Sequence, residues 1–116
     1  MSASDPVAQA RRWYVQRISA MLLALCVSVH LVGMILAVRG GLSAAEILAR
    51  TQGSIAWALF YSVFVLACAL HVPPGLMNIA SEWWRWPAPR ALWFGRVFGL
   101  VILVAGWRAV YAVVVR

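Results

Sequence analysis

Three long apolar runs limit what this chain can fold into more than any other feature of its sequence. The clearest covers residues 18–38, which carry no formal charge and would form a helix about 30 Å long. That length matches the hydrocarbon thickness of one bilayer. The sequence therefore predicts an all-α membrane protein, with spans at about residues 15–38, 55–79 and 91–115. Together they form one three-helix domain over residues 1–116.

Short sequence motifs add detail to the three apolar runs. Ser43 and Glu46 have the spacing of a capping box, which predicts a short helix over about residues 43–50. Pro73 and Pro74 fall within the last turns of the second span and remove two backbone donors, so a kink or early unwinding is expected there. Gly95 begins a GxxxG pattern, which predicts that the third span approaches another helix closely.

Charge and composition narrow the functional class. The chain has 116 residues, of which 65% are hydrophobic and 11% charged, and its formal charge is +7. All ten basic residues are arginines at the ends of apolar runs, where they anchor to lipid headgroups. No basic stripe lies on a polar surface, so nucleic-acid binding is excluded as the function. The expected surroundings are membrane lipid.

The distribution of arginines predicts an orientation in a bacterial inner membrane. Basic residues favour the cytoplasmic side of a span. One side of the predicted layout has Arg11, Arg12, Arg17, Arg85, Arg90 and Arg96, and the other has Arg39, Arg50, Arg108 and Arg116. The bias places the N-terminus in the cytoplasm and the C-terminus outside.

Two histidines lie inside the predicted spans. His30 is followed by Gly33, and His71 is followed by Gly75. Polar residues within lipid are costly and usually functional, although an intramembrane histidine can also simply hydrogen-bond a neighbouring helix. Neutral imidazole is a good iron ligand, and a small residue one turn away leaves room for a flat cofactor. The pattern favours two haem-iron ligands.

The expected depths of these histidines argue against a single shared haem. His30 lies about 12 Å below the outer end of its span, and His71 lies about 24 Å below the outer end of the next, antiparallel span. Their imidazoles are therefore expected at levels roughly 10 Å apart. His30 would bind an outer haem iron and His71 an inner one, each with a second ligand from another chain.

Two motifs resemble a known family. The run Gln16-Arg17-Ile18-Ser19-Ala20 is similar to a His-Arg-x-Ser-Gly opening, and His71-x-x-x-Gly75 with Glu82 is similar to a His-x-x-x-Gly motif that ends in an acidic residue. Both motifs belong to the cytochrome b membrane-anchor subunits of succinate dehydrogenase and fumarate reductase, respiratory complex II. Met77 stands where that family has an arginine.

The resemblance implies a two-haem anchor that contains haem b and contacts a quinone. His71 would bind the haem nearer the catalytic subunits, and Arg17 and Ser19 would occupy quinone-site or propionate positions. The implied partners are a flavoprotein, an iron–sulfur subunit, and either a sister anchor subunit or a second copy of this chain. The chain itself would hold no catalytic acid or base and would carry electrons between iron–sulfur clusters and the quinone.

Two other functions remain open. The chain could be a haem-free structural anchor in which both histidines only pack between helices. It could also be a small transporter subunit whose histidines relay protons, although no carboxylate lies within a predicted span. Neither alternative changes the predicted fold.

Overall fold

The computed structural model describes residues 5–115, which form four helices and no strand within that range. They are α1 (Pro6–Arg39), α2 (Ala44–Thr51), α3 (Ile55–Glu82) and α4 (Ala88–Val114). α1, α3 and α4 are long and apolar enough to cross a membrane. The predicted all-α, three-span architecture is confirmed, as is the short helix between the first two spans.

The helix ends follow from the local sequence. α1 begins at Pro6, well before the predicted start near residue 15, because the Asp5 side chain accepts a hydrogen bond from the Val7 backbone N–H at 3.0 Å. Ser43 and Glu46 form the predicted capping box of α2, with both reciprocal hydrogen bonds present. Arg85 adopts φ 54° after α3, and the following Trp86 N–H donates to the Ala80 carbonyl at 3.0 Å.

The three long helices form a single antiparallel layer with α3 in the middle. α3 packs against both α1 and α4, whereas α1 and α4 scarcely touch. We call the edge where α1 begins and α3 ends the near end, and the opposite edge the far end. At the far end, the Thr51 hydroxyl and the Gly53 N–H donate to the last carbonyls of α4, at 2.7 Å each.

Small residues form the contact of α3 with α1 and its contact with α4. Among the described residues, those buried in the long helices are all alanine, glycine, serine or cysteine, and no large side chain is fully buried. Backbones can approach closely at such positions, which is how helices associate when lipid surrounds them. The large aliphatic side chains lie outside and face the surroundings.

The predicted early unwinding at Pro73 and Pro74 is wrong, because α3 continues as a helix to Glu82. α4 packs directly on this segment. A Cβ at Gly95 would lie 2.7 Å from the Pro73 carbonyl oxygen, and one at Gly99 would lie 2.7 Å from Cγ of the Pro73 ring. The GxxxG pattern thus accommodates the proline, and close packing by α4 covers the turn from which backbone donors are missing.

We expect Gly95→Ala to destabilise the protein by about 1–3 kcal/mol, because the added methyl group overlaps the rigid Pro73 backbone. The measurement is the free energy of unfolding from an SDS titration in mixed micelles. Ala105→Val on the exposed side of α4 is the matched control and should change that value by less than about 0.5 kcal/mol. Equal effects of both substitutions would contradict the close contact at Gly95.

Candidate functional site

His71 meets α1 at a buried serine. The Ser19 side-chain oxygen lies 3.5 Å from His71 Nδ1, and Ser19 is only 3% exposed. The same hydroxyl donates to the Gln16 backbone carbonyl at 3.1 Å. Within residues 5–115, no other hydrogen bond reaches His71, so Nε2 of its ring has no protein partner.

A cavity of about 340 Å³ lies beside His71. Its other walls come from one end of α1, namely Trp13, Gln16, Arg17, Ala20 and Met21. The Arg17 guanidinium sits 5.6 Å from the centre of the Trp13 ring, a cation–π contact that holds a positive charge at the cavity rim. The site therefore combines an imidazole, an aromatic surface and a cation in an otherwise apolar setting.

Gln16 carries an unsatisfied buried atom at this site. Its side-chain oxygen Oε1 is buried and has no hydrogen-bond donor among the described residues. Its Nε2 lies 3.6 Å from the place a Cβ on Gly75 would occupy. A methyl group at Gly75 would make only an ordinary van der Waals contact with Gln16, so this neighbour does not require a glycine.

His30 has a similar environment on the same side of α3, closer to the far end. The Tyr61 hydroxyl of α3 lies 3.4 Å from His30 Nδ1, and the Tyr61 and Phe64 rings meet the imidazole edge-on, each with centroids 5.8 Å away. A cavity of about 350 Å³ adjoins this pair. Its remaining walls are apolar or weakly polar and come from α3 and α4, namely Val65, Cys68, Ile102, Gly106, Ala109, Val110 and Val113.

The two contacts fix the register of α1 against α3. Ser19 pairs with His71 and His30 pairs with Tyr61, as expected for antiparallel helices. At 1.5 Å per residue, the two imidazoles therefore lie about 15 Å apart along the helices. The separation exceeds the 10 Å expected from the predicted span ends, and it places His71 nearer the near end.

One side of α3 holds most of the unusual residues. Tyr61, Phe64, Cys68, His71 and Gly75 lie within about 80° of one another, and we call this arc the histidine face. The roughly opposite arc consists of exposed leucines and valines, which we call the aliphatic face: Leu59, Val63, Leu66 and Leu70. An aliphatic surface suits lipid, whereas the histidine face offers groups that can bind a cofactor.

The other predicted residues are placed as follows. Arg17 and Ser19 lie at the His71 end, although Ser19 is buried against the imidazole and does not line the cavity. Gly33 is exposed on α1, and nothing lies within 4 Å of a Cβ built there. The sequence reasoning missed Tyr61 as the partner of His30. The antiparallel register could have indicated it, since a match of Ser19 with His71 places residue 30 opposite residue 60 or 61.

The two imidazoles are the candidate ligands for a metal-bearing cofactor. Within residues 5–115, no group of three or more His, Cys, Asp or Glu side chains could enclose a metal. Each imidazole stands beside a cavity with Nδ1 near a hydroxyl and, among the described residues, no protein partner at Nε2, so each could hold the iron of a haem. Comparisons with family models, curated proteins and solved structures find no match for this chain.

We expect Gln16→Met to stabilise the haem-free protein by about 1 kcal/mol, because it removes a buried acceptor that has no donor. The free energy of unfolding in mixed micelles measures this. Gln52→Met changes an exposed glutamine outside the long helices and should leave the value within about 0.5 kcal/mol. A loss of stability in Gln16→Met would mean that the Oε1 atom is satisfied.

Proposed function

We propose that this chain is the membrane-anchor cytochrome b subunit of a succinate:quinone oxidoreductase or quinol:fumarate reductase. His71 and His30 would each hold one of two haem b groups. The proposal is carried by one observation: both intramembrane imidazoles adjoin a cavity and have a hydroxyl at Nδ1 but no partner at Nε2 among residues 5–115. A bound haem supplies one-electron chemistry between iron–sulfur clusters and a quinone.

The spacing of the histidines supports two haem sites, each shared with a partner chain. Two imidazoles about 15 Å apart along the helices could not both hold one haem iron. His30 and His71 would therefore each contribute one ligand to a separate haem iron, and a partner chain would contribute the second ligand of each. That partner is a sister anchor subunit or a second copy of this chain, docked over the histidine face.

The near end is where the proposal places the catalytic partners and the quinone. Arg17 holds its charge at the rim of the His71 cavity, where it can bind a haem propionate or a quinone carbonyl. The loop after α3 forms an aromatic cluster in which Trp84, Trp86 and Phe94 contact one another and Arg90 lies over Trp86. This cluster can anchor in headgroups or receive the iron–sulfur subunit, which would carry the flavoprotein.

The proposed location is a bacterial inner membrane with the N-terminus in the cytoplasm. The support is the excess of arginines at the near end, on the side of α1's start and of the loop between α3 and α4. In this orientation the His71 level faces the cytoplasm, where succinate and fumarate chemistry would take place. The His30 level lies towards the outer surface.

A haem-free anchor is the second candidate. The Ser19–His71 and Tyr61–His30 contacts join α1 to α3, so each histidine could serve only as an interhelical hydrogen-bond partner. A proton-relaying transporter has less support, since among residues 5–115 the acidic side chains are Asp5, Glu46 and Glu82, all at or near helix ends. Haem content separates the first two candidates directly.

We expect the complex, expressed with its neighbouring genes and purified from membranes, to contain two b-type haems by pyridine haemochrome assay. His71→Ala and His30→Ala should each remove one haem, with the two losses differing in midpoint potential. Ser28→Ala is the control, because its hydroxyl bonds only to the Ala24 carbonyl of its own helix, and it should retain both haems. A wild-type complex without haem would favour the structural anchor.

A further inference from the structure

We propose that Ser19 is a positioning residue that fixes the proton of the His71 ring on Nδ1 and so keeps Nε2 free to bind metal. The inference rests on the proposed function for its iron, but the tautomer itself is a property of the haem-free chain. Ser19 does not touch the cofactor in this proposal. It acts only through the imidazole that it contacts.

Two acceptors compete for the Ser19 hydroxyl proton, the Gln16 carbonyl and His71 Nδ1. Ser19 Oγ has one proton, and the Gln16 carbonyl at 3.1 Å is the nearer acceptor, so we assign the proton to that carbonyl. The oxygen can then only accept at its contact with His71 Nδ1, 3.5 Å away. A neutral imidazole that donates from Nδ1 carries an unprotonated Nε2, which is the form that binds iron.

Burial prevents water from easily replacing Ser19 as the hydrogen-bond partner of His71 Nδ1. Ser19 is 3% exposed between α1 and α3, and water has little access to Nδ1 from that side. An imidazole nitrogen left without a partner in lipid costs free energy, so the serine oxygen favours the Nδ1–H tautomer over the alternative. The ring is also held in one orientation, with Nε2 on its side away from Ser19.

The tautomer of the His30 ring is not fixed in this way. The Tyr61 hydroxyl has no other acceptor among the described residues, so its single proton can go to His30 Nδ1, or the oxygen can accept from it. Donation by tyrosine would leave the proton on Nε2 and block metal binding until the ring changes tautomer. The His71 site is therefore prepared for its ligand by the fold, and the His30 site is not.

The accepted hydrogen bond also has an electronic consequence. Donation from Nδ1–H makes an imidazole a more basic ligand, and losing such a partner typically weakens metal binding 10–100-fold. A more basic ligand stabilises ferric iron over ferrous iron, so removing the Ser19 hydroxyl should raise the midpoint potential of the haem at His71. The haem at His30 should be unaffected.

The tautomer is tested on the full-length chain prepared without haem. The sequence has two histidines, so His30→Gln leaves His71 as the sole imidazole signal. Nitrogen-15 solid-state NMR in bilayers at mildly alkaline pH should show a protonated Nδ1 and an unprotonated Nε2 in this background. Adding Ser19→Ala should move the proton to Nε2, and Ser19→Thr, which keeps a hydroxyl, should restore the parent spectrum.

Two results would overturn the proposal. One is a proton on Nε2 in the spectrum of the His30→Gln parent. This result does not depend on whether any further variant folds. The other is a Ser19→Ala spectrum identical to the parent. In the assembled complex, Ser19→Ala should weaken haem retention at His71 by 10–100-fold and raise that haem's potential, with recovery in Ser19→Thr. A complex without any haem would refute the proposed function, whereas the spectrum of the haem-free chain would still decide the role of Ser19.

Discussion

The contact of Pro73 with two glycines of α4 is the interaction on which the rest of the layer depends. The Pro73 carbonyl and ring occupy the space that side chains at Gly95 and Gly99 would need. α4 therefore lies directly against α3 at the point where α3 has lost backbone donors. α1 packs on the other side of α3 at buried small residues, Ala67 among them. The aliphatic face of α3 stays exposed, whereas the histidine face is half-buried and meets α1.

The aliphatic face and the histidine face of α3 differ in how well they suit a lipid environment. The aliphatic face needs no partner, because hydrocarbon is as apolar as its leucines and valines. The histidine face carries polar groups whose exposure to hydrocarbon is costly. Ser19 and Tyr61 each satisfy one imidazole nitrogen, and the second nitrogen of each ring remains available. This half-satisfied state is the physical reason for proposing a cofactor and a partner chain on that side.

Much of the architecture could be predicted from local sequence. The uncharged run at residues 18–38, the Ser43–Glu46 capping box and the GxxxG pattern each corresponds to a feature of the structure. The early unwinding predicted from the prolines is wrong, since their effect was judged on an isolated helix. α4 supplies the packing that keeps this segment helical, and that packing involves residues far away in the sequence.

The sequence by itself determined the number, order and approximate limits of the helices, because hydrophobic length and capping are local properties of the chain. It also singled out His30 and His71 as the polar residues that lipid would tolerate only for a reason. The tertiary structure decided which hydroxyl meets which imidazole and how far apart the imidazoles lie. The register of antiparallel helices depends on where small residues allow two backbones to approach closely. This is a property of a pair of helices and cannot be found from one helix alone.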